Sequence, residues 1–280
     1  MQTKLIILTL LTGALAALAS CSNATRPDGD IVSLSPVVTE ILYELGAGDR
    51  IMANTKFCNY PKKAGSKLKI ADFHNVNEEE ILRLQPALIL DTESKKHAPM
   101  WKRMTEAGIK VEHFPIDTIE QIPAAYIGIG KAIGKEERGR ELAQRFLDER
   151  AALKTRYANV TRNPRVLFLV GYLGNDAAGK NTFIDDCIKT VGATNIIQKQ
   201  GWPTALKDSM IFTDPPDIIL VSINGSDINS QKIAEIKNHL KKFNVPVHIV
   251  NGDEACRPGP RIIAAWEKIG VILHPEVKTN

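Results

Sequence analysis

Apolar residues along this chain fall into two alternating patterns. Short continuous runs, among them Ile31 to Leu34, Arg50 to Ala53, Ala87 to Leu90, Arg165 to Val170, Ile218 to Val221 and Val247 to Val250, have the length and β-branched content of buried strands. Between them, apolar residues recur three and four apart, as in Val37, Val38, Ile41, Leu42 and Leu45, in Ile184, Cys187, Ile188 and Val191, or in Ile233, Ile236, Leu240 and Phe243. The punctuation agrees. Ser35-Pro36 offers a capping hydroxyl and a proline at a first helical turn, and Gly46 stops that helix. Asn77 caps another, with Glu80 at capping-box spacing and Pro86 at its end. A helix carrying Met100, Trp101 and Met104 runs to Gly108, before a strand from Ile109 to Val111. Pro260 to Gly270 reads as a closing helix. Strands alternating with helices at this spacing predict an α/β fold, with mostly parallel sheets covered on both faces.

One stretch departs from this rhythm. Lys135 to Ala158 contains no proline, and Leu142, Ala143, Phe146, Leu147, Leu153 and Tyr157 fall on a narrow stripe while charges fill the other faces. It predicts a helix on the order of 36 Å long, a strut between two domains rather than a core element. A further helix is expected over 118–134, beginning near Gln121 because Pro123 cannot sit in its interior. The flanking halves echo each other. Ile81 to Leu90 and Ile211 to Leu220 each read as a helix end, a proline, one spacer residue and a strand. The expected organisation is therefore a lobe at 31–117, a connecting helical region at 118–162 and a second lobe at 163–280.

The first residues are of another kind. Lys4, the apolar run Leu5 to Leu18 and the small residues before Cys21 resemble a bacterial lipoprotein signal, so residues 1–20 are expected to be removed and Cys21 lipidated. Residues 21–30 are small and polar, with Pro27 and Gly29, and suit a tether. The chain would then lie outside the cytoplasm, held to a membrane through lipid alone. The net charge of +4 is spread thinly and no basic run interleaves with aromatics, which gives no case for nucleic acid. Cys58, Cys187 and Cys256 remain, an odd number without a C-x-x-C pair, so neither a zinc site nor a redox motif is expected.

Gly174 to Asn181 nearly spells a phosphate-binding loop, but Asn181 stands where a magnesium-binding hydroxyl belongs. No histidine spacing fits a metal, and no serine, histidine and acid set stands out for nucleophilic catalysis. A cleft between two α/β lobes, at the carboxyl ends of the strands, is the expected ligand site. Its loops would supply Phe57, Tyr60, Phe73, His74, Tyr172, Trp202 and Arg257, aromatic faces with a cation that suit a large, flat, partly charged molecule.

Several segments together carry a family resemblance: Ile31 to Pro36, Thr39-Glu40, Leu45 to Ile51, Cys58 to Pro61, Leu84 to Ile89, Thr182 to Ile184 and Arg257 to Arg261. In this order they resemble the periplasmic binding proteins of ABC importers for vitamin B12, ferric siderophores and haem. The resemblance implies two Rossmann-like lobes joined by a single long helix, no catalysis and no resident cofactor. It also implies a monomer that delivers its ligand to a permease and its ATPase. By the pattern from Phe57 to Leu90 the chain is most similar to the cobalamin binders, and Phe57, Phe73 and Trp202 fall at or near positions that line the corrinoid site there. For haem, His74 or Tyr172 would be the axial ligand. An extracytoplasmic enzyme using the same cleft is the alternative from another class. The chain departs from the family in having Asn59 where an aspartate is usual, and in lacking the cysteine pair of some B12 binders. The resemblance further implies permease docking through an acidic residue on each lobe, Glu79 on the first and, with a one-residue shift, Asp208 on the second.

Overall fold

The computed structural model describes residues 29–72, 75–92, 97–171, 176–203 and 208–277. The expected leader, Cys21, Phe73, His74 and Tyr172 lie outside the described residues, as does the side chain of Asp208.

The first lobe runs β1 (Ile31–Ser33), α1 (Pro36–Glu44), β2 (Ile51–Thr55), α2 (Lys62–Gly65), β3 (Leu68–Ala71), α3 (Glu78–Leu84), β4 (Leu88–Asp91), α4 (Ala98–Glu106) and β5 (Lys110–His113). Its strands pair in the order β3-β2-β1-β4-β5, all parallel. The chain winds outward from β1 to β3 and then returns to β4, so the order reverses beside β1. Such a switch point opens a crevice at the carboxyl ends of the strands. Neither α2 nor β3 is foreshadowed by the apolar pattern. β3 is an edge strand with Leu68 exposed and only Ile70 and Ala71 buried, too short an alternation to register.

Two expected caps differ in detail. Ser35 occupies the N-cap of α1, but its hydroxyl makes no capping bond, and Pro36 alone marks the start. Asn77 accepts the Glu80 N–H at 3.0 Å, whereas the Glu80 carboxylate turns to Arg83, leaving half a capping box.

The connecting region opens with a 3-10 turn, Ile119–Gln121, held by a Thr118–Gln121 capping box. α5 (Ile122–Ala132) follows, with Pro123 in its first turn where no N–H is needed, and then α6 (Glu136–Arg156). At 21 residues, α6 is roughly 32 Å long. It buries Leu142, Ala143, Phe146 and Leu153, with Tyr157 just beyond its end. Leu147 was expected on the stripe but is 43% exposed, since it points past the edge of a contact one side chain wide. The long helix is also reinforced by a second. α5 packs along it so closely that a Cβ at Gly139 would stand 2.5 Å from the Tyr126 carbonyl.

The second lobe runs β6 (Arg165–Val170), β7 (Asp176–Ala177), α7 (Phe183–Thr190), β8 (Thr194–Asn195), α8 (Asp208–Thr213), β9 (Ile218–Ile223), α9 (Ser230–Leu240), β10 (Val247–Asn251), α10 (Gly252–Ala255) and α11 (Ile262–Leu273). β10, β9 and β6 are parallel. β8 joins the start of β6 in parallel, and β7 joins its end antiparallel. The outer sheet faces have separate cores, around Val32, Ile81 and Met104 in one lobe and Leu167, Ile219 and Ile236 in the other. The inner faces share one core. It passes from Ile41 and Leu42 through Tyr126 and Phe146 to Phe168 and Trp266, so the lobes are joined by apolar packing as well as by the chain. Among the described residues no helix is long and apolar enough to cross a membrane.

Candidate functional site

A cavity of about 500 Å³ opens where the carboxyl ends of strands from both lobes converge. Pro36 and Val37 after β1 and Phe57 after β2 form one wall. Val170 and Gly171 after β6, Ile223 and Asn224 of β9 and its following loop, and Asp253, Cys256 and Arg257 after β10 form the other. A larger hollow of about 690 Å³, between Lys237 and Val247, lies at the amino end of β10, the wrong end of the sheet for a crossover fold.

The Phe57 loop is held from beneath by Lys69 of β3. Its ammonium donates to Asn54 Oδ1 at 2.7 Å, Ala64 O at 2.9 Å and Cys58 O at 3.0 Å. Burial lowers the Lys69 pKa from its ordinary value, and those three acceptors are what hold the charge there. Cys58 is buried, with Thr39 Oγ1 at 3.1 Å and Thr55 Oγ1 at 3.2 Å from its sulfur. At the end of β4, buried Asp91 accepts from Trp101 Nε1 at 3.2 Å and pairs with His97 Nδ1 at 2.6 Å, which anchors α4 to the sheet.

Arg257 crosses the cleft. Its Nη1 donates to Glu40 Oε1 at 3.2 Å and Asn59 Oδ1 at 2.8 Å, and its Nη2 to the Phe57 carbonyl at 3.0 Å and Asp253 Oδ1 at 2.5 Å. Arg261 grips the same glutamate side-on, Nε to Oε2 at 2.9 Å and Nη2 to Oε1 at 2.6 Å. Glu40 is 2% exposed and comes from α1 of the first lobe, while both arginines come from the loop before α11 of the second. Asp253 completes the clasp by accepting from Asn59 Nδ2 at 3.1 Å and the Gly225 N–H at 2.9 Å. Burial works against the Arg261 charge, but the Glu40 carboxylate outweighs it and the pKa ends above the usual arginine value.

The expected site residues therefore separate. Phe57 and Arg257 line the cavity. Tyr60 is not among the described lining residues; it is 47% exposed, with the Arg261 guanidinium 4.2 Å over its ring. Trp202 is 46% exposed and packs on Phe183 at 5.6 Å, and it is not among the described residues that line the cavity. Glu78 pairs with Arg103 and Glu80 with Arg83, while Glu79 between them is exposed and has no side-chain partner among the described residues. Sequence reasoning did not single out Asp227, Lys232, Asp253 and Cys256, which also line the cavity, nor the pairing of Glu40 with Arg261. The only sequence signal for the clasp is the four-residue spacing of Asp253, Arg257 and Arg261.

The near phosphate loop has another purpose. Thr182 caps α7, donating to Gly179 O and accepting the Asp185 N–H. The buried Asp185 carboxylate accepts the Asn181 N–H at 3.1 Å, occupying the helix start where a phosphate would sit. Gly179 serves a close crossing, since a Cβ there would lie 2.1 Å from the Lys199 carbonyl. All three cysteines in the described residues are free thiols. Burial pushes Cys256, on the cavity wall, up to about 11, so it is a neutral thiol at pH 7. No cluster of three or more metal-ligating side chains exists among the described residues.

Comparison with known proteins agrees with this geometry. The family model described as "Periplasmic binding protein" matches residues 31–242. A vitamin B12-binding protein of Vibrio parahaemolyticus is 26% identical over 88% of this chain and 90% of its own. An uncharacterized ABC transporter substrate-binding lipoprotein of Bacillus subtilis, YvrC, is 27% identical over 88% of this chain and 80% of its own. In fold, the chain is similar to the periplasmic vitamin B12 binding protein BtuF of Vibrio cholerae, with TM-score 0.76 and 22% identity over 90% of this chain and 99% of that one. It is equally similar to the heme-binding protein RhuT of Roseiflexus sp. RS-1, with TM-score 0.77 and 21% identity over 90% and 100% of the two chains. With the family model covering most of its length and the lobes, long helix and cleft in place, the chain belongs to the periplasmic binding protein family.

Proposed function

We propose that this protein is the extracytoplasmic, lipid-anchored binding component of an ABC importer, that it captures a corrinoid in the interlobe cavity, and that it hands this cargo to a permease driven by its ATPase. It acts as a monomer and catalyses nothing; the corrinoid is cargo and not a cofactor. Glu79 is the docking residue on the first lobe, and Asp208 its counterpart on the second.

The observation that carries the corrinoid reading is the state of Arg257. Four of its guanidinium hydrogen bonds go to Glu40, Asn59, Phe57 and Asp253, so it has little left to offer an anionic ligand. The charged side chains on the cavity wall cancel, Asp227 and Asp253 against Lys232 and Arg257. A balanced, partly apolar wall suits a macrocycle rimmed with neutral amides better than haem with its carboxylates or an anionic ferric chelate. For haem, Cys256 is the one iron-ligating side chain among the described lining residues, and as a neutral thiol it is a poor ligand.

Titrating the purified protein with cyanocobalamin, haemin and a ferric siderophore tests this directly. Saturable binding of cyanocobalamin alone is expected. Tighter binding of haemin, with a spectrum that changes on substituting Tyr172 or His74, would replace the corrinoid reading by the haem one. Lipid anchoring is tested by fractionation: Cys21→Ala should release the protein from membranes.

A further inference from the structure

Glu79 accounts for one lobe's docking charge, but the helix that corresponds to α3 in the second lobe, α8, has Ser209 at the matching position. The two helices match in another respect. Leu82 stands four residues before Pro86 and Phe212 four before Pro216, and both side chains are exposed, 38% and 58%, although Phe212 rests one side of its ring on Phe243 at 5.0 Å. One residue earlier, Ile81 and Ile211 are both buried, at 0% and 7%, so the helices present the same phase to solvent. Each helix precedes an inner strand of its sheet, β4 or β9. Single exposed apolar residues are ordinary on a protein surface. The same exposed apolar position on both halves of a pseudo-duplicated chain is a different observation.

From this matched pair we infer that Leu82 and Phe212 are paired apolar anchors of one docking face, each entering an equivalent pocket of a twofold-symmetric membrane partner. This rests on the reading of the protein as an importer's binding component, and it names the permease dimer as the occupant. Two equivalent contacts on a pseudo-symmetric molecule fit a partner made of two equal halves. The α3 face favours a protein over a lipid surface: Glu79 in its first turn, unpaired among the described residues between two glutamates that hold Arg103 and Arg83, would be repelled by anionic headgroups and attracted to a basic group beside a pocket. The face also lies at the ligand end of the first lobe. α3 begins just beyond the carboxyl end of β3, the end of the sheet at which Pro36 and Phe57 line the cavity. Docking there sets the cleft over the partner. In this arrangement Glu79 steers the encounter, and the apolar pair sets how long the complex lasts.

The test uses the full chain carrying Cys21→Ala, so that no lipid tethers it, with the host's permease–ATPase complex in lipid nanodiscs. Phe212→Ser and Leu82→Ser are each expected to speed dissociation about tenfold, the double variant about a hundredfold, and Phe212→Leu only slightly. Glu79→Lys should instead slow association at low salt. Ligand affinity should stay near wild type for all of them, and Leu82→Ser should keep the wild-type thermal midpoint, whereas Phe212→Ser also loses the Phe243 contact and melts lower; Phe212→Leu, which keeps an apolar group there, separates that effect from docking. The inference is overturned if the serine variants dissociate like the wild type, if only one of the two matters, if lipid-only nanodiscs show the same losses, or if the wild type does not bind the permease. The ligand titration above is separate: its failure alongside intact docking behaviour would remove the corrinoid reading and leave the docking pair standing.

Discussion

Along the helix pair the lobes share an apolar core through Ile41, Tyr126, Phe146, Phe168 and Trp266, whereas at the cleft they meet through a glutamate, an aspartate and two arginines. The apolar joint is broad and tolerant of small shifts, because dispersion and burial have no preferred direction. The ionic joint is narrow and directional: Glu40 accepts three hydrogen bonds whose geometry fixes where the second lobe sits. Packing holds the lobes together and the clasp sets their spacing at the mouth. Since the clasp is nearly dry, ordinary salt should screen it little.

Breaking the clasp should give the largest effect. Glu40→Ala leaves Arg257 with Asp253 as its one carboxylate and Arg261 with only the more distant Glu254 at 3.8 Å, and should cost about 3 kcal/mol, the low end for a broken buried pair. Chemical denaturation measures it. A loss below about 1 kcal/mol would mean the arginines find other partners and that the ionic joint is secondary.

The apolar joint is attacked at its tightest point. Gly139→Ala drives a methyl group against the Tyr126 carbonyl and should cost about 1–3 kcal/mol by prising α5 from α6. Solution scattering sharpens the contrast. With both joints intact, ligand should change the radius of gyration little, because a doubled helix leaves few positions to absorb a hinge rotation. Glu40→Ala should broaden the apo distribution, and Gly139→Ala should not.

Lys69 tests whether the clasp depends on the loop beneath it. Lys69→Met removes three hydrogen bonds that fix the loop carrying Phe57 and Asn59, both partners of Arg257. Ligand affinity should fall about tenfold while the helix pair stays native, checked by titration beside a thermal melt. Unchanged affinity would mean that the Arg257 contacts hold the loop without it.

The parts legible in the sequence are those whose cause is local. The strands other than β3, β7 and β8, the amphipathic stripes, the stop at Gly46 and the proline at the start of α5 follow from residues within one or two turns. The long helix was legible for the same reason; its partnership with α5 was not, because two ordinary-looking glycines, Gly130 and Gly139, carry the close approach. The clasp was not legible as a pairing: the four-residue spacing of Asp253, Arg257 and Arg261 shows a cluster but not its partner. Glu40 lies in a helix with Val37 to Leu42 buried on every side, and its partners are more than two hundred residues away. Arg257 illustrates the limit: a cation in a cleft loop reads as a ligand contact, and only the fold reveals how fully the protein itself uses it.

A minor polar contact gives the smallest expected effect. Asp186 of α7 faces the start of the connecting region, where its Oδ2 accepts the Ile119 N–H at 3.4 Å. Burial raises its pKa, and Glu120 and Asp185 add to the rise. With a folded pKa above the unfolded value of 3.8, the folded state holds the proton more tightly. The group therefore favours folding below 3.8, loses that contribution as pH rises through the raised pKa, and has lost it fully at neutral pH. Asp186→Asn keeps an acceptor for Ile119 and removes the repelled charge. Because the site is half open to water, the gain at pH 7 should be only about a few tenths of a kcal/mol, and it should vanish near pH 3. Thermal melts of both proteins across that range check the sign. A variant less stable than wild type at pH 7 would show that the charge at this contact is satisfied, and that the connecting region meets the second lobe through a third attractive joint.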